Sequence, residues 1–164
     1  MKRILPFYLL ALFLLVSCVT PFSEITYYSE KPMVSNLAYI IVDETTKTID
    51  GGSYLIPAGY TLVAVNDTQT VKLGTIENKE VIKSSLASKG YSLTSTKESS
   101  DLTVVVESIT TPDMSEVYIG FYFTETEELI FLCKGVFGTG STMQDGLNNA
   151  LLEALKSVPA FSIQ

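Results

Sequence analysis

Chemistry in this chain of 164 residues has few places to reside, because it contains two cysteines and no histidine. Without imidazole, Ser-His-Asp and Cys-His nucleophile pairs, histidine-ligated zinc and histidine proton transfer are all ruled out. Paired carboxylates or a Ser–Lys pair could still work. Asp43, Glu44, Asp101, Glu107, Asp113, Glu116, Glu125, Glu127 and Glu128 could meet in space, but none sits at a recognised spacing. Such charges are usually solvated surface.

Two further groupings resemble known chemistry and fall short of it. Gly135-Val136-Phe137-Gly138-Thr139-Gly140-Ser141-Thr142 is glycine-rich, yet it lacks the lysine a phosphate-binding P-loop needs, and Met143 stands where the dinucleotide fingerprint has its third glycine. It reads as the end of a strand and the cap of a helix, where glycine permits a sharp turn. Glu125, Glu127 and Glu128 supply oxygen atoms, but the twelve-residue calcium-loop spacing is missing, so they read as a solvated hairpin tip. The pattern calls for no metal and no cofactor.

Cys18 is different. Lys2 and Arg3 precede thirteen uncharged residues, Ile4 to Val16, which is short of the roughly 20 that a membrane-crossing helix needs and suits a secretory signal. The segment closes on Leu15-Val16-Ser17-Cys18. That tetrapeptide resembles the lipobox of bacterial lipoprotein precursors at all four positions. The resemblance implies a diacylglyceryl group on the Cys18 sulfur, cleavage just before it and acylation of the new amino terminus. Three acyl chains hold a protein firmly where one binds only reversibly. Val19 is not aspartate, which under the enteric sorting rule favours the outer membrane over the inner.

Loss of residues 1–17 removes Lys2 and Arg3 and no acid, leaving 9 basic against 18 acidic side chains, a formal charge of −9. Nucleic acid and anionic headgroups, which need clustered Lys and Arg, are poor partners for such a surface. With Cys18 acylated, Cys133 has no cysteine to pair with and reads as a small buried hydrophobe.

The elements that must position these groups are legible in outline. Residues 18–36 carry Pro21, Pro32 and several Ser and Thr with no sustained apolar period, as a tether would, although Tyr27 and Tyr28 could dock on the domain. A single domain is expected over 37–164. Leu37–Asp43 reads as a strand that stops in a turn at Glu44–Lys47 and Asp50-Gly51-Gly52. Tyr54–Ile56, Tyr60–Val65 and Thr70–Leu73 read as further strands, with a turn at Asn66-Asp67. Glu77–Lys89 reads as a helix with Gly90 just past its end, and Leu102–Val106 as a central strand. Glu116–Thr124 and Glu128–Phe137 form a hairpin, and Thr142 caps a last helix striped by Leu147, Leu151, Ala154, Leu155 and Val158 before Pro159. The class expected is α+β, a mostly antiparallel sheet with two helices packed on one face.

A three-residue turn at Glu125–Glu127 puts Val117, Ile119, Phe121 and Phe123 on one side with Leu129, Phe131 and Cys133, the side expected to face the helices. The opposite side carries Tyr118, Tyr122, Ile130 and Leu132 around Gly120, which is too apolar for a face open to water. Either the first strands cover it as more core, or it is an aromatic patch that binds a partner.

Lys89-Gly90-Tyr91, Asp101-Leu102-Thr103-Val104, Leu129-Ile130-Phe131, Lys134-Gly135 and Ala150 to Pro159 are similar to a domain-of-unknown-function family of bacterial envelope lipoproteins, over about residues 77–159. Phe131 stands where that family usually has tryptophan, and the hairpin tip is shorter. The resemblance implies an α+β envelope domain and brings no catalytic residues. The function expected is a non-enzymatic, lipid-anchored binding or assembly module that takes another envelope component on its sheet. A small-ligand carrier with a closed apolar cavity, or an envelope enzyme built on carboxylates or a Ser–Lys pair, stays open.

Overall fold

Alternating apolar positions build a sheet whose buried side faces two helices. In a computed structural model, residues 20–58, 61–139 and 141–162 are described; Cys18 and the expected signal segment lie outside them. The strands are β1 (Phe22–Tyr27), β2 (Leu37–Val42), β3 (Thr46–Ala58), β4 (Thr61–Lys72), β5 (Ser92–Thr94), β6 (Leu102–Thr110), β7 (Met114–Phe123) and β8 (Leu129–Gly138), and the helices are α1 (Ile76–Ser88) and α2 (Met143–Ser157). Six strands form one sheet in the order β1-β8-β7-β6-β2-β5, while β3 and β4 form a separate two-stranded ribbon. Within the larger sheet β2 runs parallel to β5 and β6, and the other pairs are antiparallel. The chain is α+β.

The core lies between this sheet and the helices. Leu102, Val104 and Val106 of β6 alternate inward beside Val117, Ile119 and Phe121 of β7 and Phe131 and Cys133 of β8, all at most 1% exposed. Against them pack Ile82 and Leu86 of α1 and Leu147, Ala150, Leu151 and Ala154 of α2. Each buried Leu, Ile or Phe contributes about 1.5–3 kcal/mol relative to exposure. Phe121 and Phe131 stack with centroids 4.4 Å apart, and Tyr91 sits 5.2 Å from Phe121.

Both helices begin at threonine caps: Thr75 Oγ1 accepts from the Asn78 amide at 3.1 Å, and Thr142 Oγ1 from the Asp145 amide at 3.0 Å. Gly90, at φ +90°, ends α1 as its sequence position implies. The buried Asn78 amide donates to Leu73 O at 3.0 Å and to Asn148 Oδ1 at 3.1 Å, tying the two helices together. At Gly135 the sheet comes so close to α2 that an added Cβ would lie 2.2 Å from both Ala150 O and Ala154 N.

Two sequence expectations are corrected. The stretch 18–36 is not simply a tether, because β1 pairs antiparallel with β8 from Phe22–Val136 to Tyr27–Phe131. Ile25 packs against the core and Tyr27 meets Phe131 at 5.8 Å. The folded domain therefore starts near residue 22 rather than 37. Likewise, Asp50-Gly51-Gly52 and Asn66-Asp67 do not turn the chain. They face each other across the ribbon, where the register shifts between Asp50 and Ser53. Gly52 takes φ +91°, and a Cβ on Gly51 would lie 2.9 Å from Asp67 O. The glycines thus make a bulge within β3, and the reversal comes between Ala58 and Thr61.

Candidate functional site

The face of the large sheet opposite the helices carries no covering layer among the described residues. The early strands do not fold over it: β1 and β2 join the sheet at its flanks, and the ribbon roots beside α2. Register fixes which residues share this outer face. Across it run Phe22, Glu24 and Thr26 of β1, Leu132, Lys134 and Val136 of β8, Glu116, Tyr118, Gly120 and Tyr122 of β7, Thr103, Val105 and Glu107 of β6, and Tyr39 and Ile41 of β2. Phe22 is 45% and Ile41 41% exposed, while Tyr118, Tyr122 and Leu132 are half-buried.

Of the four residues expected on this face, Tyr118, Tyr122 and Leu132 lie there and Ile130 does not. The hairpin register runs as expected from Phe121–Phe131 toward Met114–Gly138, but it slips between Phe121 and Tyr122, so that Tyr122 pairs with Leu129. Ile130 becomes the extra residue of a bulge and turns into the core at 3% exposure. Its carbonyl accepts from the amides of Tyr28 (2.9 Å) and Ser29 (3.2 Å), which clamp the bulge from the end of β1. The five-residue connection Thr124–Glu128, with Glu127 at φ +55°, replaces the expected three-residue turn.

Two side-chain arrangements shape the face. Tyr122 lies over Gly120, where an added Cβ would meet the ring at 2.7 Å. The glycine makes the seat, and the ring shields backbone that would otherwise be bare. Beside Tyr122 is a shallow hollow of about 270 Å³, bordered by Ile41, Thr103, Val105 and Thr124. The second arrangement is polar. The Tyr118 hydroxyl donates to Glu116 Oε2, and Lys134 Nζ bonds Glu116 Oε1 at 2.9 Å. Lys134 also lies 5.4 Å from the Tyr118 ring centroid and 5.9 Å from that of Phe22.

Charge follows from this geometry. The Tyr118 hydroxyl and the Lys134 ammonium hold the Glu116 carboxyl below its ordinary value, and Glu116 in turn raises both Tyr118 and Lys134. The trio is neutralised from within and stays packed, so at its centre the face presents aromatic rings, with the exposed carboxylates Glu24 and Glu107 beside them. Cys133 lies on the opposite side, fully buried, and burial pushes its thiol up to about 12.

The other candidate groups are dispersed. Asp43 pairs with Lys47 at 3.1 Å, Glu44 with Lys79, Glu127 with Lys97 at 3.3 Å and Glu128 with Lys31. Among the described residues no three acids or cysteines come together as a metal site would require. The glycine segment acts as read from its sequence, with Gly138 ending β8 and Thr142 capping α2. Phe22 gives no clear sequence signal: the alternation Ile25-x-Tyr27 marks the opposite, core-facing side of β1, and Glu24 and Thr26, which share the side of Phe22, are polar.

No protein-family model and no curated protein matches the chain. Among solved structures, the chain is similar to the PelC dodecamer from Paraburkholderia phytofirmans, at 12% identity and a TM-score of 0.37 over 85% of this chain and 99% of that one. A single-substitution variant of the same dodecamer gives the same identity and TM-score over 83% and 97%.

Proposed function

We propose that the chain is a non-enzymatic lipoprotein of the bacterial envelope, held on a membrane through acylated Cys18, that binds another envelope protein on the outer face of its sheet. The observation that carries this reading is the uncovered row of Phe22, Leu132, Tyr118, Tyr122, Val105 and Ile41. A sheet face that meets only water is normally polar, and aromatic rings seated on glycine and on an internally neutralised ion pair suit a protein contact. Asp43, Glu44, Glu127 and Glu128, each tied to a separate surface lysine, favour binding over catalysis. A carrier would need room between sheet and helices, and Phe121, Phe131, Leu147 and Leu151 fill that interval.

The reading is tested with the acylated protein in cells. A photo-crosslinking residue replacing Tyr122 should join one partner protein, and the same residue replacing Lys83 on α1 should not. Tyr118→Ala and Tyr122→Ala should weaken capture by about tenfold or more each, as truncated aromatic anchors do, while thermal unfolding stays cooperative. Capture unchanged by both substitutions removes the sheet face as the binding site.

A further inference from the structure

The β3–β4 ribbon is longer than the domain needs. Its root is integrated: Val71 and Leu73 are buried, Lys47 Nζ donates to Ser108 O at 2.6 Å, and Gln144 bonds Lys72 through both backbone groups. Among the described residues β4 is the main neighbour of β3. The outer half of the ribbon, beyond the bulge at Gly51-Gly52, is where charge disappears. From Gly51 to Asn66 sixteen consecutive residues are uncharged, the longest such stretch after Cys18. The hydrogen bond Ser53 Oγ to Asn66 Oδ1, 2.7 Å, marks the boundary. Past it the paired positions are Tyr54–Val65, Leu55–Ala64, Ile56–Val63 and Pro57–Leu62. Successive pairs belong to opposite faces, so the ribbon end is apolar on both. An isolated two-stranded ribbon is marginal in water, and one with no polar face lacks any side suited to it.

Its placement says what covers it. Pairing of Phe22 with Val136, Met114 with Gly138, Thr110 with Ser115 and Val42 with Val106 sets the start of β1 and the exit from β2 to the ribbon along one edge of the sheet. The ribbon leaves past the N-terminal end of α2 at that same edge: Lys72 meets Gln144 and, further out, Gln69 accepts from the Met143 amide at 2.9 Å. Cys18 is four residues from Phe22, a span of at most about 14 Å. A lipid on Cys18 therefore holds this edge against the bilayer.

We infer that the uncharged end of the ribbon, residues 54–58 of β3 and 61–65 of β4, dips into the membrane that the lipid anchor selects, as a second and shallow contact. This rests on the anchoring reading above. Five residues on each strand reach about 17 Å, no more than one leaflet of a hydrocarbon core roughly 30 Å thick. Unpaired backbone groups along both ribbon edges oppose deep burial, so the end sits at the boundary of headgroups and acyl chains.

The test uses the full acylated protein in phosphatidylcholine vesicles, with an environment-sensitive fluorophore on the substitution Ile56→Cys or, as a control near the root, Thr48→Cys. Flotation reports the anchor and spin-labelled lipid reports insertion. The label at 56 should shift to the blue and be quenched, and the label at 48 should do neither. Leu62→Asp should abolish quenching at 56 without changing the floated fraction. Protein that floats with an unquenched label at 56 overturns the insertion alone. A label at 56 shielded only at high protein density, with disulfide-linked dimers through that position, assigns the ribbon to a second copy and also overturns it. Protein that fails to float overturns the anchor and the insertion together.

Discussion

Gly135→Ala tests the packing of α2 on the sheet with a single methyl group. The added Cβ would stand 2.2 Å from Ala150 O and 2.2 Å from Ala154 N, with Ala154 Cα at 2.9 Å. Ordinary contacts need about 3.5–4.0 Å, so relief requires the helix to lift by more than ~1 Å. The obstructing atoms are backbone, and no rotamer change can remove them. Lifting α2 loosens Leu147, Leu151 and Ala154 against β7 and β8. Overpacking of a close-packed core costs about 1–3 kcal/mol or somewhat more, and a rigid obstruction belongs at the upper end, about 3 kcal/mol. For a domain of this size that lowers Tm by on the order of 10 °C. Thermal unfolding followed by circular dichroism at a fixed heating rate reads the shift. A variant melting within about 2 °C of the parent, on the same scale of degrees per kcal/mol, would falsify the close approach of strand and helix.

Three further outcomes follow from the same geometry. Ile130→Ala should cost about 2–5 kcal/mol in urea unfolding as a buried truncation, whereas Leu132→Ala on the outer face should cost much less; equal costs would restore Ile130 to the outer face. Glu116 has a lowered folded pKa, so its contribution to stability is complete above its ordinary value of 4.5 and is lost as pH falls through the folded value. Glu116→Gln should therefore flatten stability against pH below 4.5, and an unchanged slope contradicts the Tyr118–Glu116–Lys134 trio. Cys133, with its thiol raised to about 12 by burial, should react with a disulfide reagent only after denaturation, and rapid reaction in buffer would place it at the surface.

Much of this architecture was legible because its signals are local. The Thr142 cap, the stripe of α2, the apolar β6 run and the Gly90 terminus each follow from neighbours in sequence, and each stands where expected. The hairpin register was also legible up to Phe121–Phe131. What failed depends on distant partners. The bulge at Ile130 is held by amides of Tyr28 and Ser29, about a hundred residues earlier, which no hairpin pattern contains. β1 is too polar to declare itself and becomes a strand because β8 offers it an open edge. The glycine and asparagine turn signals in β3 and β4 were cancelled by facing each other, since the same residues that permit a turn also permit a bulge.

The mass of the protein recovered from envelopes tests the Cys18 anchor most directly. Intact-mass spectrometry should show a chain beginning at Cys18 and carrying a diacylglyceryl group with a further acyl chain. A chain beginning at Met1, or one with an unmodified sulfur at Cys18, would contradict the anchor and with it the placement of the domain at a membrane.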